Sequence, residues 1–211
     1  MSDTLENDVS DPRIAIGVLS WIEENSQLPE LDRCLDSLTD FYPVIVVNGK
    51  WSDVEGTNAR GTQESQELID SYSNTIRLDS HNKPEFYNRN LCLIQAGKML
   101  CDYLIWVDSD EYIELPCGIS WFKKNLKETF MNPSDFCSRV WFDNGTSRRI
   151  IKYPMFIRMR YKHNEWMFNG VDVRKKQLPP IDGMLIHHDK TYRNEERRDK
   201  MLNRKVLNPI H

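Results

Sequence analysis

The stretch that most constrains the fold is Asp102-Tyr103-Leu104-Ile105-Trp106-Val107-Asp108-Ser109-Asp110-Glu111-Tyr112-Ile113. Its apolar run, Tyr103 to Val107, has the pattern of a buried strand, and it ends abruptly in acid at Asp108, Asp110 and Glu111. In open α/β sheets, ligands bind in the crevice outside the carboxyl ends of the strands. Acids at that point have no core to pair with and must face solvent, a cation or a ligand. Two closely spaced carboxylates can share a divalent metal, or divide it from a ribose hydroxyl. Oxygen ligands of this kind suit Mg²⁺ or Mn²⁺, which stay partly hydrated and are shared with substrate phosphates. The stretch thus points to a metal–diphosphate site at a strand end. The plainer alternative is a strand followed by an acidic turn, since Asp and Ser favour turns.

The chain before this stretch alternates strands and helices. Ile14 to Ser20 is an apolar run rich in strand formers, followed by Trp21-Ile22-Glu23-Glu24-Asn25. Leu28, Leu31, Leu35 and Leu38 recur at helical spacing. Val44 to Val47 is a β-branched strand ending at Asn48-Gly49. A polar loop, Trp51 to Arg60, leads to a helix over Gln63 to Tyr72, and Thr75 to Asp79 is a third strand. Pro84 to Leu100 is a helix with proline in its first turn. Four strands alternating with helices predict a parallel, doubly wound sheet. Each strand ends in a polar or acidic residue, and all those ends share one sheet edge.

Beyond the acidic turn the pattern changes. Gly118 to Phe130 reads as a helix, and Phe136 to Phe142 and Ile150 to Arg160 as strands around an Asn144-Gly145 turn. Residues Lys162 to Arg174 read as irregular, and Pro179-Pro180 as a break. Met184 to Asp189 reads as a last strand, and Asn194 to Leu207 as a strongly basic helix. The fold class expected is α/β, with a mostly parallel central sheet flanked by helices and a few added antiparallel strands. A flexible tail over residues 1–12 precedes a single domain over 13–211, made of a nucleotide-binding half, 13–115, and an acceptor-side half, 116–211.

Composition narrows the function classes. Of 211 residues, 39% are apolar and 28% charged, ordinary for a globular protein. A net charge of −4 gives no general pull toward nucleic acid. The five cysteines form no Cys-x-x-Cys pair, which argues against zinc and for a reducing, cytoplasmic setting. No secretory signal and no apolar run of membrane-spanning length is visible.

Several side chains qualify for a site. His187 and His188 end an apolar strand, where successive side chains point to opposite faces, so only one of them can face a shared site. Arg193 follows closely, with a fork suited to a diphosphate. Glu165 and Asp172 lie where binding residues gather, and either is a candidate general base. Trp21 and Trp166 are candidates for stacking on a base or sugar, against the commoner reading of core tryptophans.

Taken together, five ordered pieces resemble the family 2 glycosyltransferases, which have the GT-A fold. They are Ser20-Trp21-Ile22-Glu23-Glu24 with the following helix; Val46-Val47-Asn48-Gly49-Lys50-Trp51-Ser52-Asp53; Asn88-Arg89-Asn90-Leu91; Trp106-Val107-Asp108-Ser109-Asp110-Glu111; and Ile186-His187-His188 before a basic helix. The similarity runs from about Ile14 to about Lys205. It implies a GT-A-like domain that transfers a sugar from a nucleotide-diphosphate donor, a UDP-sugar, with inversion and with Mn²⁺ or Mg²⁺. The implied acceptor is a hydroxyl of a glycan, glycoprotein or lipid-linked molecule. Carried over by position, Ser20, Glu23, Asn48 and Asp53 line the nucleoside pocket. Arg89 supports the nucleotide or the acids, and Arg193 the diphosphate. Asp108 faces the ribose or the metal, Asp110 ligates the metal, and His188, or else His187, completes that site.

The sequence departs from the family at Asn48 and Gly49, which stand where two aspartates are usual, and at Ile22 in place of Asn. The later acidic base motif has no clear counterpart, leaving Asp172 and then Glu165 as substitutes. Two other readings compete. One is a catalytically degenerate module that binds sugar nucleotides or glycans. The other is an Asp-x-Asp phosphohydrolase, disfavoured because Tyr112 sits where those enzymes want Thr or Val. The chain ends soon after the basic helix, which leaves open further domains beyond it.

Overall fold

The computed structural model describes residues 11–52, 60–143, 145–160, 165–169, 171–173 and 178–188. The chain is α/β. Its centre is a mixed, mostly parallel sheet of eight strands, and a separate three-stranded sheet lies beside it.

The first half follows the expected alternation. Strand β1 (Ile14–Ser20) leads through a short 3₁₀ turn to helix α1 (Leu28–Asp36) and β2 (Val44–Asn48). Helix α2 (Gln63–Ser71) precedes β3 (Thr75–Asp79), and α3 (Glu85–Lys98) precedes β4 (Tyr103–Asp108). The four strands pair in parallel, with Ser20 beside Asn48, Asn48 beside Asp79, and Leu19 beside Asp108. The polar strand ends thus fall on one edge.

Strands β1, β2 and β4 are apolar on both faces because both faces are covered, as parallel sheets require, whereas the edge strand β3 is only partly buried. On one face Ile16, Val18, Val46, Ile105 and Val107 meet α1, α2 and a later helix, α4 (Gly118–Thr129), through Leu31, Leu35, Ile69, Phe122 and Leu126. On the other, Ala15, Leu19, Ile45, Val47, Leu104 and Trp106 meet α3 through Cys92, Leu93 and Ala96. Each fully buried Val, Leu, Ile or Phe among them contributes about 1.5–3 kcal/mol before the entropy of ordering it. The turns are set locally. The Thr62 hydroxyl caps α2 by accepting from the Ser65 N–H at 3.2 Å. Gly49, at φ 141°, lets the chain pass against the Ser80 carbonyl, where any Cβ would collide.

The second half departs from expectation in four places. Residues Glu111–Glu114 form a strand, β5, that crosses to the far side of the sheet and pairs antiparallel with the last strand, β11 (Pro180–His188). The strand expected over residues 150–160 is two. After β6 (Cys137–Phe142), β7 spans Gly145–Lys152, and Pro154 then opens a 3₁₀ turn because it has no N–H for a ladder. Strand β8 (Arg158–Arg160) begins the small sheet. The segment read as irregular supplies the rest of that sheet, β9 (Glu165–Phe168) and β10 (Val171–Asp172). Finally, β11 starts at Pro180, not at Met184. Proline is tolerated as the first residue of a strand, and the register of β11 on β6 shifts between Ile181 and Leu185.

The order of the large sheet is β3-β2-β1-β4-β7-β6-β11-β5, so one sheet runs through both halves of the chain. The small sheet rests on the α3 face through Met159, Trp166 and Val173. Among the described residues, no helix is long and apolar enough to cross a membrane.

Candidate functional site

The site is built where β4 ends. Asp108 closes that strand and is half-exposed, whereas Glu111 at the start of β5 is only 2% exposed. The turn between them closes on itself: the Asp108 N–H donates to Glu111 Oε2 at 2.8 Å. Two arginines converge on it. Arg149, from β7, places Nη1 and Nη2 each 3.3 Å from Asp108 Oδ2, and its Nη2 donates to Glu111 Oε1 at 2.8 Å. Arg89, from α3, donates to Glu85 Oε1 at 2.8 Å and lies 3.5 Å from Asp108 Oδ1, with its guanidinium over the Trp106 ring.

These neighbours split the behaviour of the acids. Burial pushes the Asp108 carboxyl up, but Arg149 and Arg89 outweigh it and hold the group below the usual carboxylate range. Glu111 goes the other way, up to about 8, through burial first and the Asp108 charge second, with Arg149 opposing. Near neutral pH, Asp108 is therefore the firm anion and Glu111 the acid able to keep its proton.

The two histidines take opposite sides, as a strand requires. His188 Nε2 lies 3.1 Å from Asp110 Oδ2, and this short contact lacks the alignment of a hydrogen bond. His187 is bracketed by carboxylates, with Nδ1 2.7 Å from Asp143 Oδ1 and Nε2 2.9 Å from Glu114 Oε2, and it stacks on Tyr112. His187 is thus fastened into the β5–β11 edge, and His188 is the one that meets Asp110. Among the described residues, no group of three or more His, Cys, Asp or Glu side chains is arranged to hold a metal by itself.

At the ends of β1 and β2, Ser20 and Asn48 are both fully buried. The Asn48 amide nitrogen donates to the Arg60 carbonyl at 3.0 Å, which fixes the amide with its oxygen facing away. Among the described residues, Asn48 Oδ1 and Ser20 Oγ are buried without a hydrogen-bond partner. Buried polar atoms are rarely left unpaired, which sets these two apart from the apolar strand residues before them. Glu23 sits just beyond, half-buried, its N–H held by the Gln27 side chain at 3.0 Å.

The other candidates are distributed differently. Asp172 is half-buried on β10, and Glu165 opens β9, both in the small sheet. Asp53, Arg193, Asn144 and the basic stretch over residues 194–207 lie outside the described residues. Trp21 and Trp166 are buried, at 5% and 3% exposure, and Trp21 packs edge-on against Trp51. They are core residues, not exposed stacking platforms. Sequence reasoning missed Arg149, Asp143 and Glu114. Arg149 left only a faint signal, an arginine pair just ahead of the apolar Ile150-Ile151.

No protein-family model matches the chain, and no curated protein matches it. Solved structures do resemble it. One, from Desulfovibrio desulfuricans G20, is described as a nucleotide-diphospho-sugar transferase; it is 11% identical over 93% of this chain and 96% of its own, with a TM-score of 0.43. Another is the mannose-1-phosphate geranyltransferase from Thermus thermophilus, 12% identical over 94% of this chain and 65% of its own, with a TM-score of 0.37. A functional reading has to stand on the site.

Proposed function

We propose that the chain is a metal-dependent glycosyltransferase that moves a sugar from a nucleotide-diphosphate sugar, a UDP-sugar, to an acceptor hydroxyl with inversion. One convergence carries this reading. The ends of β1 and β2 hold two buried polar atoms without partners among the described residues, Ser20 Oγ and Asn48 Oδ1. The same sheet edge carries the arginine-bound Asp108 and the Asp110–His188 contact. A nucleoside wants buried donors and acceptors at one end of its site, and a diphosphate wants cations at the other. The family 2 resemblance of the sequence assigns the same two ends.

The fit of a cation rests on its donor set. Asp110 and His188 offer an oxygen and a nitrogen 3.1 Å apart without an aligned hydrogen bond between them. Such a pair suits Mn²⁺, or Mg²⁺ less well. Two protein ligands suffice because these ions keep waters and take oxygens from substrate phosphates. When bound, the cation supplies Lewis-acid stabilisation of the leaving diphosphate. The remaining roles belong to the chain. Asn48 Oδ1 accepts from an N–H of the base, with Ser20, Glu23 and Asp53 around the nucleoside. Asp108 and Arg89 face the ribose and phosphates, and Arg193 reaches the diphosphate. Asp172, or else Glu165, takes the proton of the acceptor hydroxyl as it attacks. The acceptor is a glycan, glycoprotein or lipid-linked molecule, and the setting cytoplasmic.

A donor screen with Mn²⁺ or Mg²⁺, following release of nucleoside diphosphate, tests this. The Asp110→Ala variant should lose activity by about 100-fold or more, the scale expected when transition-state charge stabilisation is lost. Normal metal dependence and turnover in that variant would show the site to be misassigned. Nucleotide binding with no turnover across a broad acceptor set would favour a binding module, and phosphate release from a simple phosphoester a hydrolase.

A further inference from the structure

Arg149 belongs to none of the sequence pieces that suggest the function, yet it makes the densest contacts in the site. Its guanidinium touches Asp108 Oδ2 with both terminal nitrogens and Glu111 Oε1 with one. The group rests over the Phe142 ring, and the side chain is 14% exposed. Glu111 uses its other oxygen to accept the Asp108 N–H, so one carboxylate joins the arginine to the backbone of the turn. With Arg89 on Asp108 Oδ1, both oxygens of Asp108 face guanidinium groups. The three acids of the motif are therefore not equivalent. Asp108 and Glu111 are held by arginine, and Asp110 meets His188, whose other ring nitrogen lies 3.9 Å from Glu111 Oε1.

We propose that Arg149 is a positioning residue of the donor site. It draws Asp108 and Glu111 together, fixes the turn that aims Asp110 at His188, and so sets the affinity for the divalent cation. This rests on the glycosyltransferase reading of the site. The physical reason is the shared donor: Arg149 gives hydrogen bonds to Asp108 and to Glu111 at once, and Glu111 is too buried for water to replace the bond it would lose. Removing Arg149 leaves Asp108 and Glu111 to separate, which opens the turn and moves Asp110. A lysine keeps the charge but lacks the fork that spans two carboxylates.

The test is isothermal titration of the full chain with UDP over a series of MnCl₂ concentrations, giving an apparent Mn²⁺ constant. Wild-type binding of UDP that depends on Mn²⁺ is what the donor reading itself needs; its absence overturns that reading and this proposal together. Given that binding, Arg149→Met should weaken the apparent Mn²⁺ constant about 10- to 100-fold, the range for partners that orient metal ligands. Arg149→Lys should fall between. A folded Arg149→Met protein with a Mn²⁺ constant within about twofold of wild type would overturn the proposal and leave the donor reading standing. A purely structural arginine would lower thermal stability without moving that constant. If Arg149→Met does not fold, Arg149→Lys is read in the same way. The double variant Asp108→Asn/Arg149→Met adds a second check: if Arg149 acts through Asp108, the two losses do not add. Additive losses would overturn the proposal.

Discussion

At the scale of the residue, the seating of the strand that ends in Asp108 depends on a glycine in the neighbouring strand. Gly17 of β1 lies beside Trp106 of β4, and a Cβ there would meet Trp106 Cζ3 at 2.9 Å and Cys92 Cβ at 3.3 Å. Trp106 is 1% exposed and carries the Arg89 guanidinium over its ring, so it has little room to yield. Gly17→Ala should therefore cost about 1–3 kcal/mol, the usual scale of overpacking, as read by urea unfolding. A cost below about 0.5 kcal/mol would mean that the ring moves aside freely, against the close packing argued for this face. The sequence holds half of this. Trp106 is legible as part of a buried strand, but nothing in Gly17 announces the ring above it, because contacts between strands have no local signature.

At the scale of the element, the apolar join between α3 and the small sheet carries a polar clasp made by one side chain, Asn90. The Asn90 amide donates to the Met159 carbonyl at 2.9 Å and accepts the Met159 N–H at 2.7 Å. This is a strand-like pair of bonds made by a helix side chain. Asn90→Ala should leave both Met159 backbone groups unpaired and cost about 1–3 kcal/mol. Hydrogen exchange should speed at Met159 more than in β1 or β4, which the large sheet holds independently. Equal protection at Met159 in wild type and variant would show that other contacts carry the join. The same element explains what sequence reading misses here. Asn88-Arg89-Asn90 stands out as a motif, but β8–β10 are short strands of mixed composition, too brief for a period of two to show. Likewise β5 reads in sequence as the tail of an acidic turn, because only its distant partner β11 makes it a strand.

At the scale of the whole molecule, the core should protect four of the five thiols. Cys34, Cys92, Cys101 and Cys137 are buried, and Cys117, before α4, is exposed. Burial pushes the Cys92 thiol up to about 12, and those of Cys34 and Cys101 upward as well. Alkylation of the native chain at about pH 8, followed by mass spectrometry, should modify Cys117 quickly and the others only as the fold opens. Rapid labelling of Cys92 would contradict the packing between α3 and β2. The sequence by itself determined the alternation of the parallel half, because three of its four strands are short apolar runs and the leucines at 28, 31, 35 and 38 show helical spacing. It also determined where to look, because acids at the end of a buried strand must face outward to a ligand or to water. Only the tertiary structure decided which partner each acid meets. Arg149 reaches Asp108 from 41 residues away, and His188 reaches Asp110 from the last described strand. Charge at a site is set by every element that converges there, and a linear chain does not record which elements those are.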